Sequence, residues 1–250
     1  MSLQFIIGNS GAGKSSTAYR NIIRDARMNP DRLYYVIVPE QFTMQTQKTL
    51  VEMHPDGGIL NIDILSFDRL AYRVFEEVGG DTRRLMEETG KNMVLQKLVQ
   101  MNQKELGYLK NQMKKPGYLD EIKSLISEFM QYEIREEELD EMIRESEDKT
   151  LLQMKLKDVK VLYQAFREYL SGHFMTAEEV LEVLAKEIPF SEKLKGSVVL
   201  LDGYTGFTPV QMEVLRELLA VCSKVSVTVT MDVREQFLAM GKPHELFYMS

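Results

Sequence analysis

Eight consecutive residues, Gly8-Asn9-Ser10-Gly11-Ala12-Gly13-Lys14-Ser15, satisfy the pattern G-x-x-x-x-G-K-[ST], whose chemistry is the capture of a polyphosphate. Amide groups at the start of a helix, together with the positive end of its dipole, attract the anion. Gly8, Gly11 and Gly13 let the backbone curl around it without a Cβ in the way. Lys14 is placed to reach the β and γ phosphates of ATP, and the Ser15 hydroxyl to ligate Mg²⁺. A second candidate lies far along the chain. The apolar run Val198-Val199-Leu200-Leu201 ends in Asp202, an acid at a strand tip able to hold Mg²⁺ through water.

Both motifs need strands and helices to aim them. Leu3, Phe5, Ile6 and Ile7 form an apolar run suited to a buried strand, and Ser16–Ala26 continues as a helix, so the loop joins a strand end to a helix start. After the turn Asn29-Pro30-Asp31 come a strand at 33–38, a helix at 43–53, the break His54-Pro55-Asp56-Gly57-Gly58 and a strand at 59–65. In that strand Ile62 and Ile64 alternate with Asn61 and Asp63. Ser66 or Asp68 caps a further helix carrying Leu70, Ala71, Val74 and Phe75. Such alternation predicts an α/β fold with a parallel sheet and ligand chemistry at the carboxyl ends of its strands. Strand patterns disappear over residues 86–189, where helical stripes take over: Val94, Leu98 and Met101; Leu119, Ile122, Ile126 and Phe129; Leu152, Leu156, Val159, Tyr163, Phe166 and Leu170; Val180, Leu181, Leu184 and Ile188. Lys115-Pro116-Gly117 and Ser171-Gly172 are the breaks, and Thr176 with Glu179 forms a capping box. The methionines read as adaptable core filling, and the acidic run 133–148 as a solvated helix face with Leu139, Met142 and Ile143 inward. Strands resume at 197–202 and 225–232 around a helix at 209–221. The expected organisation is a P-loop α/β domain in two halves, 1–85 and 190–250, forming one sheet, interrupted by an all-helical insertion at 86–189.

Bulk properties narrow the function. A chain of 250 residues, 44% hydrophobic, can bury a sizeable core. It has no apolar run of about 18 residues, and no leader is expected ahead of the first strand, so neither a membrane span nor a signal peptide is expected. A single cysteine, Cys222, excludes an internal disulfide framework and points to a reducing cytoplasm. The net charge of −7 argues against gripping nucleic acid by bulk electrostatics, though a local basic patch remains open. Arg83-Arg84 and Lys110, Lys114 and Lys115 are the basic clusters, read as solvated surface; His54, His173 and His244 share no metal-ligand spacing. The closing stretch 241–250 reads as unfinished, as in a fragment of something longer.

Together these motifs resemble a known family. Asp202-Gly203-Tyr204-Thr205 followed by Phe207-Thr208-Pro209-Val210-Gln211 has the register of the Asp-Glu-x-Gln…Thr-x-x-Gln segment of superfamily-1 helicases. Ile64-Leu65-Ser66-Phe67-Asp68-Arg69-Leu70-Ala71 is similar to their Thr-Phe-His-x-x-Ala element, and Val38-Pro39-Glu40-Gln41-Phe42-Thr43 falls where the first loop contacting single-stranded DNA would be. The combination resembles the amino-terminal part of the B subunit of the AddAB (RexAB) bacterial helicase–nuclease. The resemblance implies a first motor domain in a protein that processes double-strand DNA breaks for recombinational repair, as a heterodimer with a catalytic A subunit. It also implies single-stranded DNA as a partner, with a nuclease domain and iron–sulfur cluster beyond this chain. Gly203 stands where helicases carry the glutamate that positions the attacking water, so the resemblance implies ATP binding with weak hydrolysis. No adenine-contacting glutamine segment is expected ahead of Gly8.

Alternatives stay open at this point. A working motor could recruit another acid, Glu40 being nearest in position, and a small-molecule phosphotransferase would need its own substrate pocket. Gln41, Thr43, Ser66, Phe67 and Arg69 are candidates for DNA contact, by hydrogen bonds to phosphate or by stacking. Turn chemistry, capping by Ser66 and core packing by Phe67 explain the same residues. Thr208 as N-cap, Pro209 in the first turn and Gln211 closing a capping box form the preferred reading there, with a γ-phosphate sensor role for Gln211 as the other.

Overall fold

The computed structural model describes residues 2–79, 83–112, 115, 117–171 and 174–231. Lys114, Pro116, Gly172, His173, Asp232, His244 and the stretch 241–250 lie outside the described residues. The chain divides into two compact units, one formed by Met1–Asp81 with Leu181–Ser250, the other by Thr82–Val180.

The first unit is built on a five-stranded parallel sheet. Its strands are β1 (Leu3–Gly8), β2 (Tyr34–Ile37), β3 (Ile62–Leu65), β6 (Val198–Leu201) and β7 (Lys224–Thr230), in the spatial order β1-β7-β6-β2-β3. Strands from both ends of the chain thus interleave. β2 and β6 are buried at every position, as expected for central strands with both faces covered. Helices α1 (Lys14–Met28), α2 (Thr43–Met53), α3 (Phe67–Val78) and α10 (Pro209–Val221) connect the strands. On one face Ala18, Tyr19, Ile22 and Ile23 of α1 pack with Leu50 of α2 against Val36, Ile64 and Leu200.

Two expectations about these strands need correction. β1 is not buried: it lies at the sheet edge, and Leu3, Phe5 and Ile7 are 46%, 55% and 38% exposed among the described residues. Apolar composition reports the capacity for burial, whereas strand order decides which strand receives cover on both faces. β3 starts at Ile62 rather than at 59, because its partner β2 begins at Tyr34, opposite Ile62, and leaves Ile59 and Leu60 no ladder to join.

The second unit packs α4 (Glu88–Met101), α6 (Tyr118–Gln131), α7 (Glu136–Glu145) and α8 (Thr150–Leu170) around Leu95, Leu98, Ile126, Leu139, Leu162 and Phe166. The short α5 (Leu109–Gln112) is held by Asp158 of α8, whose buried carboxylate accepts the N–H groups of Gly107, Tyr108 and Leu109 at 3.0, 2.7 and 2.7 Å. This unit is not strand-free. A two-residue parallel pair, β4 (Arg84–Leu85) with β5 (Phe174–Met175), closes it, and strands this short carry no periodicity to read in a sequence. Its methionines also divide: Met86, Met130 and Met175 are buried, whereas Met93, Met101, Met142 and Met154 are exposed, the last four lying on outward helix positions.

Helix α9 (Ala177–Glu187) opens on the expected box, in which the Thr176 N–H donates to Glu179 and the Glu179 N–H to Thr176 Oγ1. Within the helical unit Lys91 is 2% exposed and donates to both carboxylate oxygens of buried Glu178 at 3.0 Å, with Glu88 at 2.9 Å from the same ammonium. Glu88 is held below the usual carboxylate range, chiefly by its hydrogen bond from Lys91. Arg83 pairs with Glu179 at 3.6 Å and donates to the Phe174 carbonyl, so it is a structural cation rather than free surface charge. No helix among the described residues is long and apolar enough to cross a membrane.

Candidate nucleotide site

The carboxyl ends of the strands converge on one rim. β1 ends at Gly8, whose carbonyl accepts the Met231 N–H, and the Asp202 N–H donates to the Ile37 carbonyl at the end of β2. Between Gly8 and α1 the chain makes a tight turn closed by the Ala12 N–H on the Asn9 carbonyl. Gly11 and Gly13 have φ of 75° and 80°, in the left-handed region that favours glycine. A Cβ on Gly8 would meet Ala12 Cβ at 3.2 Å and Lys14 Cγ at 3.4 Å, which is how closely the loop folds back on its strand. Asn9, Ser10, Gly11, Ala12 and Gly13 are exposed, while Lys14 and Ser15 are half-buried. Lys14 bends back over the loop and donates from Nζ to the Asn9 carbonyl at 2.9 Å.

Ser15 and Asp202, 187 positions apart, meet across the sheet: Ser15 Oγ donates to Asp202 Oδ1 at 3.0 Å. The strand register explains the rest of the cluster. Leu201 stands opposite Val227, so the next residue on β7, Thr228, lies beside Asp202 and donates from Oγ1 to Oδ1 at 2.6 Å. Tyr19, one turn beyond Ser15 on α1, donates its hydroxyl to Oδ2. Asp202 is only 4% exposed and collects three hydroxyl donors. Burial above all, and then the hydrogen bond to and charge of Asp202, raise the Tyr19 pKa well beyond the ordinary phenol range, so this hydroxyl stays a donor. Neither Tyr19 nor Thr228 stands out in the sequence. The available signal was position alone, four residues after Ser15 in one case and strand alternation in the other.

The donor set fits a magnesium–nucleotide complex. A hydroxyl that gives its proton to a buried carboxylate keeps its lone pairs for a hard cation, and the loop beneath offers the first-turn amides of α1 to phosphate. Among the described residues no group of three or more His, Cys, Asp or Glu side chains is arranged around a metal, so hydroxyl, carboxylate and phosphate oxygens would make up its ligands.

The neighbouring loops carry the remaining candidates. Gly203 has φ of 81°, and a Cβ there would touch Pro39 Cδ at 3.5 Å and Phe42 Cδ2 at 3.9 Å. Glu40 lies in a 3-10 turn, Glu40–Phe42, and its carboxylate is 3.0 Å from the Arg69 guanidinium, both side chains about half exposed. Gln41 is exposed, but Thr43 is buried and donates to the Glu40 carbonyl. Ser66 is 4% exposed and caps α3 by accepting from the Arg69 N–H. Phe67, also 4% exposed, packs against Tyr204 and Phe207 with ring centroids 5.4 and 6.5 Å away. Burial first, then the charges of Asp68 and Glu40, raise the Tyr204 phenol. Thr208 caps α10, with Pro209 in its first turn, and Gln211 Oε1 accepts the Thr208 N–H in a capping box. A separate cavity of about 360 Å³, lined by Tyr35, Asp63, Arg73 and Glu77 among others, includes none of the phosphate-loop residues.

Comparison with known proteins places this geometry in context. The family model described as "ADDB, N-terminal" matches residues 5–250. The chain is 45% identical over 250 residues to a Lachnoclostridium phytofermentans protein named as the B subunit of an ATP-dependent helicase/deoxyribonuclease, covering 100% of this chain and 22% of that protein. Proteins of the same name from Alkaliphilus metalliredigens and Clostridium tetani are 35% and 36% identical, over 100% and 91% of this chain and 21% and 20% of their own length. The chain therefore spans about a fifth of the curated relatives it matches.

Proposed function

The chain belongs to the AddB amino-terminal family, and from that premise we propose that it is the ATP-binding region of a helicase–nuclease subunit, with a hydrolysis site that lacks its water-positioning acid. The observation that carries this reading is the meeting of Ser15 and Asp202 at 3.0 Å beside a glycine-lined turn at a helix start. In it the turn 8–13 and the first amides of α1 cradle the phosphates, Lys14 neutralises the β and γ groups, and Ser15 with Asp202 holds Mg²⁺. The metal, when bound, supplies charge neutralisation between phosphate oxygens. Gly203 offers no side chain to direct water. Glu40, the nearest other acid by position, has its carboxylate engaged by Arg69, which supports a binding rather than a turnover role.

The strand order, with β7 between the loop strand and the Asp202 strand, supports a P-loop domain whose two halves are separated by the helical unit as an insertion. The relatives' name supports a cytoplasmic role in DNA-break repair with a partner A subunit. Exposed Gln41 and Arg69, on the same rim as the phosphate loop, are the side chains here best placed to meet single-stranded DNA.

The test is direct. Lys14→Ala abolishes binding of a fluorescent ATP analogue, while phosphate release by the parent chain stays near background. Undiminished binding by that variant removes the nucleotide reading, and robust turnover by the parent removes the degenerate-site reading.

A further inference from the structure

We infer that Tyr19 and Thr228 are positioning residues for Asp202, holding its carboxylate so that Mg²⁺ tightens nucleotide binding at the loop 8–15. The inference rests on the nucleotide-binding reading above and assigns residues outside both of its motifs. Its basis is an accounting of lone pairs. A carboxylate presents about four acceptor sites. Oδ1 of Asp202 takes Ser15 at 3.0 Å and Thr228 at 2.6 Å, and Oδ2 takes Tyr19. One site is left, on Oδ2. Asp202 is 4% exposed, so bulk water cannot easily replace a lost donor, and the carboxylate has little freedom to turn unless a hydroxyl lets go.

The three donors come from different places. Ser15 lies at the start of α1 and is the group that would also touch the cation, whereas Tyr19 is buried one turn deeper and Thr228 belongs to the adjacent strand. Tyr19 and Thr228 therefore act on the metal only through Asp202. They fix which lone pair remains for a metal-bound water. Groups that orient a ligand in this way typically change metal affinity 10–100-fold when removed. Phenylalanine at 19 keeps the ring and its packing with Ala18, Ile22 and Leu50 while deleting only the hydroxyl.

The experiment titrates a fluorescent ATP analogue into the 250-residue chain, once in EDTA and once across a series of Mg²⁺ concentrations. For Tyr19→Phe we expect the Mg²⁺ concentration at half-maximal tightening to rise about 10-fold or more, with affinity in EDTA unchanged. Thr228→Val shifts the same midpoint, and Thr228→Ser, which keeps the hydroxyl, restores it. A packing defect would instead weaken binding equally with and without the metal, and that result overturns the inference, as does an unmoved Mg²⁺ midpoint. If Tyr19→Phe does not fold, as judged by circular dichroism, the Thr228 pair decides by the same criterion. A parent chain that binds the analogue under neither condition overturns the nucleotide reading together with this inference, whereas an unmoved midpoint in a chain that binds overturns this inference alone.

Discussion

Restoring the missing glutamate by Gly203→Glu tests the site and its backbone together. Gly203 has φ of 81°, and an L-residue in that region costs roughly 1–2 kcal/mol. Sterics add little, because the new Cβ would sit 3.5 Å from Pro39 Cδ and 3.9 Å from Phe42 Cδ2, ordinary contact distances. The expected penalty is therefore the strain alone, which lowers the folded-to-unfolded ratio about 5- to 30-fold. For a domain of this size that corresponds to a fall in Tm of roughly 2–8 °C. The chain cannot shed the strain cheaply, since the preceding residue is Asp202, anchored by three hydroxyls. A glutamate confined this way is not free to aim at a water, so phosphate release is expected to stay at background while the ATP analogue still binds. Thermal melts followed by circular dichroism would separate strain from side-chain effects. Gly203→Ala should lose as much as Gly203→Glu, and Gly203→Asn less, because asparagine tolerates the left-handed region. An alanine variant that melts with the parent refutes the strain argument; rapid turnover by the glutamate variant refutes the claim that this backbone disfavours catalysis.

Lys91→Met should destabilise the helical unit by about 3–5 kcal/mol, because Glu178, with a side chain only 7% exposed, is left as a buried carboxylate without its cation. Adding Glu178→Leu should recover most of that loss in urea denaturation, and a double variant no better than the single one would count against the buried-charge explanation. Alkaline pH should unfold the first unit from within. The Tyr35 phenol is pushed up to about 12 from its ordinary value of 10.0, by burial first and then by the charge of Asp63, and Tyr19 and Tyr204 go higher still. These raised values leave stability intact below the unfolded value of 10.0 and remove it as pH climbs from there through about 12. Tyrosinate absorbance for the buried phenols should therefore rise together with loss of the circular dichroism signal; ionisation of all tyrosines in a chain that is still folded would contradict it.

Some of this was written locally. The limits of α2 at Thr43–Met53 and of α10 at Pro209–Val221 follow from nearby breaks and caps, as does the Thr208–Gln211 box. Ser66 chose between two readings for a physical reason: a hydroxyl preceding a helix finds an unpaired amide three residues on, and here Arg69 supplies it. Burial was harder to read, because β1 and β2 are both apolar and only their places in the sheet distinguish an exposed Phe5 from a fully covered Val36.

By itself the sequence determined the phosphate-loop pattern, the parallel α/β class and the acid at residue 202, since each depends on residue types at short spacing. Tertiary structure alone decided what surrounds that acid. Ser15, Tyr19 and Thr228 come from a helix start, one turn further along that helix, and a strand paired at a particular register, and they meet only because β7 is inserted between β1 and β6. Contacts across such separations are set by strand order and register, which no local pattern of residues encodes.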